Sequence, residues 1–410
     1  MVIVMDSIKV GLLTSEFLPN WGGVGTYCIE MAKALSNLVD LHVITVGRVN
    51  KGQLVYSEKA IRSLFSEKIG VNFLATSSME DTFLYNAKMQ LSVAKRLPKL
   101  MRELHLDVLH TNFPHMSDIL LRVVRNVALP SITTLHTTIS GQRQGTVSSR
   151  TSFMEHEYSE KWTVLLYPLI RIAEELYLRN SENFATVSNW MKLQIQQRYP
   201  FVRNLHVVYN GVDTSRFSPE ARRGAPFQFS DPVILFSSRL TAAKGVKILM
   251  KAMPMILRQN RDVHFVFSGA GQSKPWARLL GKLGVDERRY TFLGWLDYEL
   301  LPALYAEADI FVAPSLYENL PIRILEAMAS ECAVVASDVG AVSEAVENGR
   351  NGMLVEPGND KEFSESVLVL LEDEDLRKKL GKNARKSVSE KFSWSKSAQK
   401  MAGIYQSIIA

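Results

Sequence analysis

Compact apolar runs, separated by stretches with helical spacing, recur along the whole chain. In the first half Ile8 to Leu13, Leu41 to Val46, Val71 to Leu74, Val108 to Thr111, Ser131 to Leu135, Phe184 to Val187 and Leu205 to Tyr209 read as strands. Between the first two, Ile29, Ala32, Leu35 and Leu38 recur every three residues and predict a helix. Residues 86–105 predict an amphipathic helix pair, or one helix broken at Pro98, and 153–182 are largely helical. Ser188 is placed to cap a helix that begins Asn189-Trp190-Met191. Strands alternating with helices predict a parallel sheet with crossover helices.

Phe217 to Asp231, rich in Pro, Gly and Arg, reads as a linker, and a second series starts beyond it. Its strands are Val233 to Ser237, His264 to Ser268, Tyr290 to Leu293, Ile310 to Ala313, Ala333 to Ala336 and Met353 to Val355. Glu372 to Asp375 lies between helical patterns and reads as a solvated helix start rather than a metal site. Phe392 to Ile409 predicts a final helix after the second sheet is complete.

The stretch 314–329 organises this second series. Pro314 ends the strand Ile310 to Ala313, a loop carries Glu318, Asn319 can cap a helix, and Pro321 suits its first turn. Glu326 then lies one to two turns inside. A strand that feeds such a helix presents unpaired backbone N–H groups, which suit an anion. Glu318 and Glu326 flank that point, an arrangement for a ligand with both phosphates and hydroxyls. Taken singly, either glutamate could equally be placed by the helix dipole.

Composition narrows the class. A length of 410 residues is comfortable for two domains, and 46% hydrophobic residues fill two cores. A net charge of +6 is mild at this length; it suits a phosphate-bearing small ligand or an anionic surface and is no nucleic-acid footprint. The two cysteines, Cys28 and Cys332, form no CxxC, which points to a reduced compartment and away from structural zinc. No run of eighteen apolar residues spans a membrane and MVIVMDSIKV carries no signal features, so the expectation is a cytoplasmic protein.

Candidate chemistry sits after the strands. Gly22-Gly23-Val24-Gly25-Thr26-Tyr27 lies between a strand and a helix, where glycines admit a phosphate or a sugar. It is a poor dinucleotide fingerprint: Cys28 stands where the third glycine belongs, and no Asp or Glu ends the strand Leu41 to Val46. His136 follows Ser131 to Leu135 at the end of the strand where ligands bind in open α/β sheets. The polar stretch 137–152 reads as a mobile acceptor loop. Arg239 and Lys244, in the loop after Val233 to Ser237, can converge on a diphosphate as fork and point charge. Gly269 and Gly294, after successive strands, leave room for a base and a ribose. Lys88, Lys95, Arg96, Lys99 and Arg102 form a basic helix face that is either solvated or meets anionic lipid or an acidic acceptor.

Together GGVGTY at 22, TLHTT at 134, VYNGVD at 208, SRLTAAKG at 238, PSLYENLPIRILEAMA at 314 and DVGAVSEAVENGRNGMLV at 338 resemble retaining glycosyltransferase family 4 over essentially the whole length. The resemblance implies the GT-B fold: two Rossmann-like, doubly wound parallel-sheet α/β domains facing across a cleft. The first would cover 1–207, completed by a helix at 395–410, and the second, nucleotide-sugar domain 208–394. It implies transfer of a hexose-type sugar from a UDP- or GDP-sugar to an acceptor hydroxyl, with no cofactor and no metal. Arg239 and Lys244 would hold the diphosphate, Glu318 the sugar hydroxyls and Glu326 the ribose. Asn319, Leu320 and Pro321 would touch sugar or phosphate, Gly22 and Gly23 would approach the donor, and His136 would sit beside the transferring sugar. Expected partners are a nucleotide sugar, an acceptor that is lipid, sugar or small molecule, and an anionic membrane face touched peripherally, with no nucleic acid. A glycoside phosphorylase, a sugar-nucleotide epimerase or a non-catalytic nucleotide-sugar binder are the alternatives. Ser238 where Gly is usual, Asn-Leu-Pro after Glu318, Glu331 and Ala333 after EAMA, and Ala341 for a second Gly are departures that bear on the donor sugar.

Overall fold

The computed structural model describes residues 8–410 apart from 20–21, 80, 82–83, 114–115, 126, 128, 150–155, 157, 223–225, 228 and 230–231. Parts of the expected helical stretch 153–182 and of the linker 217–231 therefore lie outside the described residues. The chain divides into two compact units. Unit one is Met1–Ile139, Pro168–Asn210 and Trp394–Ala410; unit two is Ser140–Tyr167 and Gly211–Ser393.

Up to Val207 the chain forms β1 (Lys9–Leu13), α1 (Gly23–Leu35), β2 (Asp40–Asn50), β3 (Gln53–Leu54), α2 (Glu58–Leu64), β4 (Ile69–Ser78), α3 (Leu84–Glu103), β5 (Val108–Phe113), α4 (Ile119–Arg125) and β6 (Ser131–Leu135). Then come α5 (Ile139–Ser148), α6 (Tyr158–Leu165), α7 (Tyr167–Arg179), β7 (Asn183–Thr186), α8 (Asn189–Arg198) and β8 (Asn204–Val207). In the sheet of unit one β2, β1, β5, β6, β7 and β8 are neighbours in that order, and β3 and β4 both pair with β2. All pairs are parallel except the hairpin β2–β3. The chain winds outward from β1 through β2 to β4, then returns to β5 on the other side of β1. That reversal is where open α/β sheets bind ligands.

Helix α3 shows why the core forms. Met89, Val93 and Leu97 recur every fourth residue and are buried against Ile44, Val46 and Leu74. The expected break at Pro98 does not occur: buried Leu97 and Met101 clamp the helix on both sides of the proline, so one helix runs through it. Strand β4 is longer than expected because its pairing with β2 continues from Leu41↔Ile69 to Val49↔Ser78. The β2–β3 hairpin was not expected; Lys51 and Gly52 turn it with φ of 49° and 82°. Residues 139–148, expected as a loop, are helical.

Unit two adds β9 (Val233–Ser237), α9 (Val246–Gln259), β10 (His264–Ser268), α10 (Lys274–Lys282), β11 (Tyr290–Gly294), α11 (Leu301–Ala306), β12 (Ile310–Ala313) and α12 (Ile322–Ala329). It closes with β13 (Ala333–Ser337), β14 (Met353–Val355), α13 (Asp360–Glu372) and α14 (Glu374–Lys391). Its six strands lie in the order β11-β10-β9-β12-β13-β14, every pair parallel. The order reverses between β9 and β12, again beside the first strand of the unit. Strands β9 and β13 are buried throughout, and α9 adds Val246, Leu249, Met253 and Ile256 to the same core. The acidic run at 372–375 ends α13 and starts α14, with Asp373 Oδ1 accepting from Leu376 N at 2.8 Å. Helix α15 (Trp394–Ile409) belongs to unit one, where Tyr405 reaches His110. Among the described residues no helix is long and apolar enough to cross a membrane.

Candidate active site

In unit two the reversal point gathers charge. Strand β9 releases the chain at Ser238, and Arg239 and Lys244 follow; β12 releases it at Pro314, and Glu318 follows. Lys244 Nζ donates to Glu318 Oε1 at 2.6 Å, and Ser315 Oγ donates to the same oxygen at 2.9 Å. Both charged groups are largely buried, with 23% and 13% of their side chains exposed, so the attraction is screened less than on an open surface. The two expected site residues thus form an ion pair with each other. Arg239 is exposed, and among the described residues nothing engages its guanidinium.

Backbone contacts hold these loops. Gly245 has φ 71°, and a Cβ there would fall 1.8 Å from the Pro314 carbonyl oxygen. Gly340, at φ 60°, would likewise meet the Glu318 carbonyl oxygen at 1.8 Å. Only a residue without a Cβ allows both the left-handed conformation and the approach. Leu316 N donates to Ala243 O at 2.9 Å, which joins the Lys244 loop to the Glu318 loop. Gly269 is needed for the chain itself, since its Cβ would lie 2.0 Å from the Ser238 carbonyl oxygen. Gly294 accepts from Gly269 N at 2.8 Å and has open space where its Cβ would be.

Helix α12 starts later than its sequence suggested. Pro321 is its cap residue, at φ −75° and ψ 119°, rather than part of its first turn, and Asn319 stands two residues before it. The Pro321 carbonyl accepts the first helical bonds, from Ile324 N at 3.1 Å and Leu325 N at 3.4 Å. Asn319 and Leu320 are buried. Glu326 lies inside the helix at 1% exposure, with Tyr298 Oη donating to its Oε1 at 3.0 Å and Arg323 Nη1 3.6 Å from its Oε2.

The corresponding edge of unit one is mostly uncharged. His136 follows β6, and its Nε2 donates to Asn112 Oδ1 at 3.0 Å. The ring of Tyr27, last residue of the glycine motif, meets the imidazole edge-on at 4.5 Å. Behind them His110 bridges Tyr405 Oη at 2.6 Å and Thr134 Oγ1 at 2.7 Å, and Thr134 Oγ1 lies 3.4 Å from Tyr27 Oη. Burial, reinforced by His136, pushes the His110 imidazole down to about 3, so it is neutral near pH 7. Gly22 and Gly25 donate their N–H groups to Glu16 Oε2 at 3.3 and 3.2 Å, while Gly23 opens α1 with free space around it. Burial also pushes the Cys28 thiol up to about 12, leaving it an inert apolar filler.

Arg239, Lys244, Glu318, Asn319, Leu320, Pro321, Gly269 and Gly294 thus share the outlet edge of one sheet, with Glu326 buried behind it. His136, Gly22 and Gly23 share that of the other. Sequence reading passed over Ser315, Tyr298 and Asn112. Ser315 and Asn112 stood next to marked strand ends, a usable signal; Tyr298 had none.

Two family models match the chain, Glycosyltransferase Family 4 over residues 21–216 and Glycosyl transferases group 1 over 218–387. The chain is 30% identical to the MMP alpha-(1->4)-mannosyltransferase of Mycolicibacterium hassiacum, across 74% of this chain and 71% of that one. The chain belongs to glycosyltransferase family 4. An uncharacterised glycosyltransferase of Methanocaldococcus jannaschii is 28% identical to this family 4 enzyme over 97% of its chain and 98% of the relative. Among solved structures, Anabaena HepE in complex with UDP-glucose superposes with a TM-score of 0.69 at 21% identity, over 98% of this chain and all (100%) of that one. The two parallel-sheet units of the glycosyltransferase are those of the GT-B fold.

Proposed function

We propose that the protein moves a hexose from a UDP- or GDP-sugar to an acceptor hydroxyl with retention at the anomeric carbon and without a metal ion. The observation that carries this is the Lys244–Glu318 pair, 2.6 Å apart at the reversal point of the second sheet. A cation suited to a diphosphate beside a carboxylate suited to sugar hydroxyls supports the reading. The binding of UDP-glucose by HepE supports a uridine donor. Arg239 and Lys244 hold the diphosphate, Glu318 and the backbone of Asn319 to Pro321 take the sugar side, and ribose hydroxyls replace Tyr298 as donors to Glu326. Gly22 and Gly23 admit the donor, and His136 serves the transferring sugar.

As the bond from the anomeric carbon to the diphosphate oxygen breaks, charge grows on the leaving phosphate. Arg239 and Lys244 stabilise that charge in place. The acceptor oxygen bonds to the same face, and its proton passes to the departing phosphate. Thermal unfolding with UDP-, GDP- and ADP-sugars tests the reading. A donor at about a hundred times its Kd stabilises by about 2.7 kcal/mol and raises Tm accordingly. No shift with any nucleotide sugar rejects it, and sugar release driven by inorganic phosphate alone selects a phosphorylase instead. Unchanged turnover in excess EDTA is the expected result for metal independence.

The same reading places the protein in the cytoplasm, touching an anionic membrane. Lys88, Leu91, Lys95, Lys99 and Arg102 are exposed on α3, and adjoining α4 exposes Leu120, Val123 and Val124. Apolar side chains flanked by cations suit an anionic bilayer surface. Co-sedimentation with phosphatidylglycerol vesicles, lost in a Lys95→Glu/Lys99→Glu variant, is the expected outcome; equal binding to neutral vesicles removes the idea.

A further inference from the structure

The stretch 140–167 is grouped with unit two although it interrupts unit one in sequence. Its helix α5 has glycines at 141 and 145, four apart and so on one face. Glycine is a poor helix former, and two in ten residues call for a reason. The reason is Tyr317. A Cβ on Gly141 would lie 2.1 Å from Tyr317 Oη, and one on Gly145 would lie 2.6 Å from Tyr317 Cβ. The ring therefore lies in a notch that only these glycines leave open. Tyr317 immediately precedes Glu318. The same stretch is tied down a second time, where Ala243 N donates to Glu160 Oε1 at 3.2 Å, beside Lys244. So α5 and α6 touch both loops that supply the Lys244–Glu318 pair, one at each member. On its other side α5 exposes Arg143, Gln144 and Ser148.

We propose that Tyr317 is a positioning residue for sugar transfer, through which the glycine face of α5 fixes the Glu318 loop. This rests on the donor-site reading above. The side chain does not touch the reacting atoms. It transmits the placement of α5 to the carboxylate, so the helix formed within the polar stretch 137–152 sets how Glu318 meets the sugar.

The test has two parts. In the full-length ligand-free protein, amide exchange across 139–149 and 315–321 is expected to rise at least tenfold in Tyr317→Ala, with 333–372 unchanged. Unchanged exchange in both segments overturns the proposal whatever the substrate is. In UDP-glucose hydrolysis, with water as acceptor, Gly141→Ala is expected to lower kcat at least tenfold while KM for UDP-glucose moves less than threefold. Introduced into Tyr317→Ala, where the ring is gone, Gly141→Ala is expected to cost less than a further twofold. Fully multiplicative losses overturn the contact, as does a loss carried by KM alone. If the wild-type protein binds no UDP-, GDP- or ADP-sugar, the donor reading fails and the catalytic part falls with it, even where exchange still reports the contact; if it binds a GDP-sugar instead, the same kinetics are read on that sugar.

Discussion

The two sheets share one winding and differ in what they place at the point of reversal. In unit two the strands β9 and β12 deliver a guanidinium, an ammonium and a carboxylate, held by loops whose carbonyls press against Gly245 and Gly340. In unit one β5 and β6 deliver Asn112 and His136, backed by a buried neutral chain of Tyr27, Thr134, His110 and Tyr405. Charge that answers a leaving diphosphate needs cations fixed in advance. On the reading proposed above, the second edge answers the leaving diphosphate and the neutral groups of the first serve the transferring sugar; one topology carries both side-chain sets, which is how one fold serves several chemistries.

Removing charge from the second edge has the largest expected effect. Arg239→Ala and Lys244→Ala are each expected to slow donor turnover by about 10²–10³, read as UDP release in steady state. His136→Ala, which removes a neutral hydrogen-bonding group, is expected to cost about tenfold. Equal losses on both edges would erase the division of labour.

Next comes backbone approach. Gly340→Ala is expected to destabilise by on the order of 3 kcal/mol, because the added methyl group meets the Glu318 carbonyl in a left-handed conformation. Gly23→Ala on the first edge meets nothing within 4 Å and is expected to change stability by less than about 0.5 kcal/mol. Urea midpoints at constant m separate the two.

At neutral pH the smallest effect belongs to the neutral chain. His110 is held down to about 3 by burial, so between about 3 and its ordinary 6.5 the unfolded chain binds the extra proton. Stability is therefore complete above the unfolded value and is lost as pH falls through that window, by at most about 1.4 kcal/mol per pH unit. Tm measured from pH 7 to 4 is expected to fall less steeply in His110→Gln than in wild type. Parallel slopes would mean that His110 is not held neutral.

Legibility in the sequence followed burial. Val233 to Ser237, His264 to Ser268 and Ile310 to Ala313 were read residue for residue, because almost every position in them is buried and the apolar run is unbroken. Only the middle of β4 was read, since its two faces alternate and its ends lean on β2 for pairing. Helix α5 looked like a loop because Gly141 and Gly145 weaken any local preference; what packs against those glycines is Tyr317, distant in sequence. At the candidate site, residues next to strand ends stood out, whereas the cover over Glu326 depends on Tyr298, which no periodicity marks. The bond from His110 to Tyr405 joins positions 295 apart and could not be seen in any window.

That last bond bears on how the protein is made. Translation makes β1 to β8 before the strands of unit two and α15 after them. Until then His110, in the middle of the first sheet, lacks the tyrosine that closes over it. Every strand of the first sheet is made before β9, yet the helix that covers His110 is made after β14, so unit one lacks part of its core until the chain of unit two has been made.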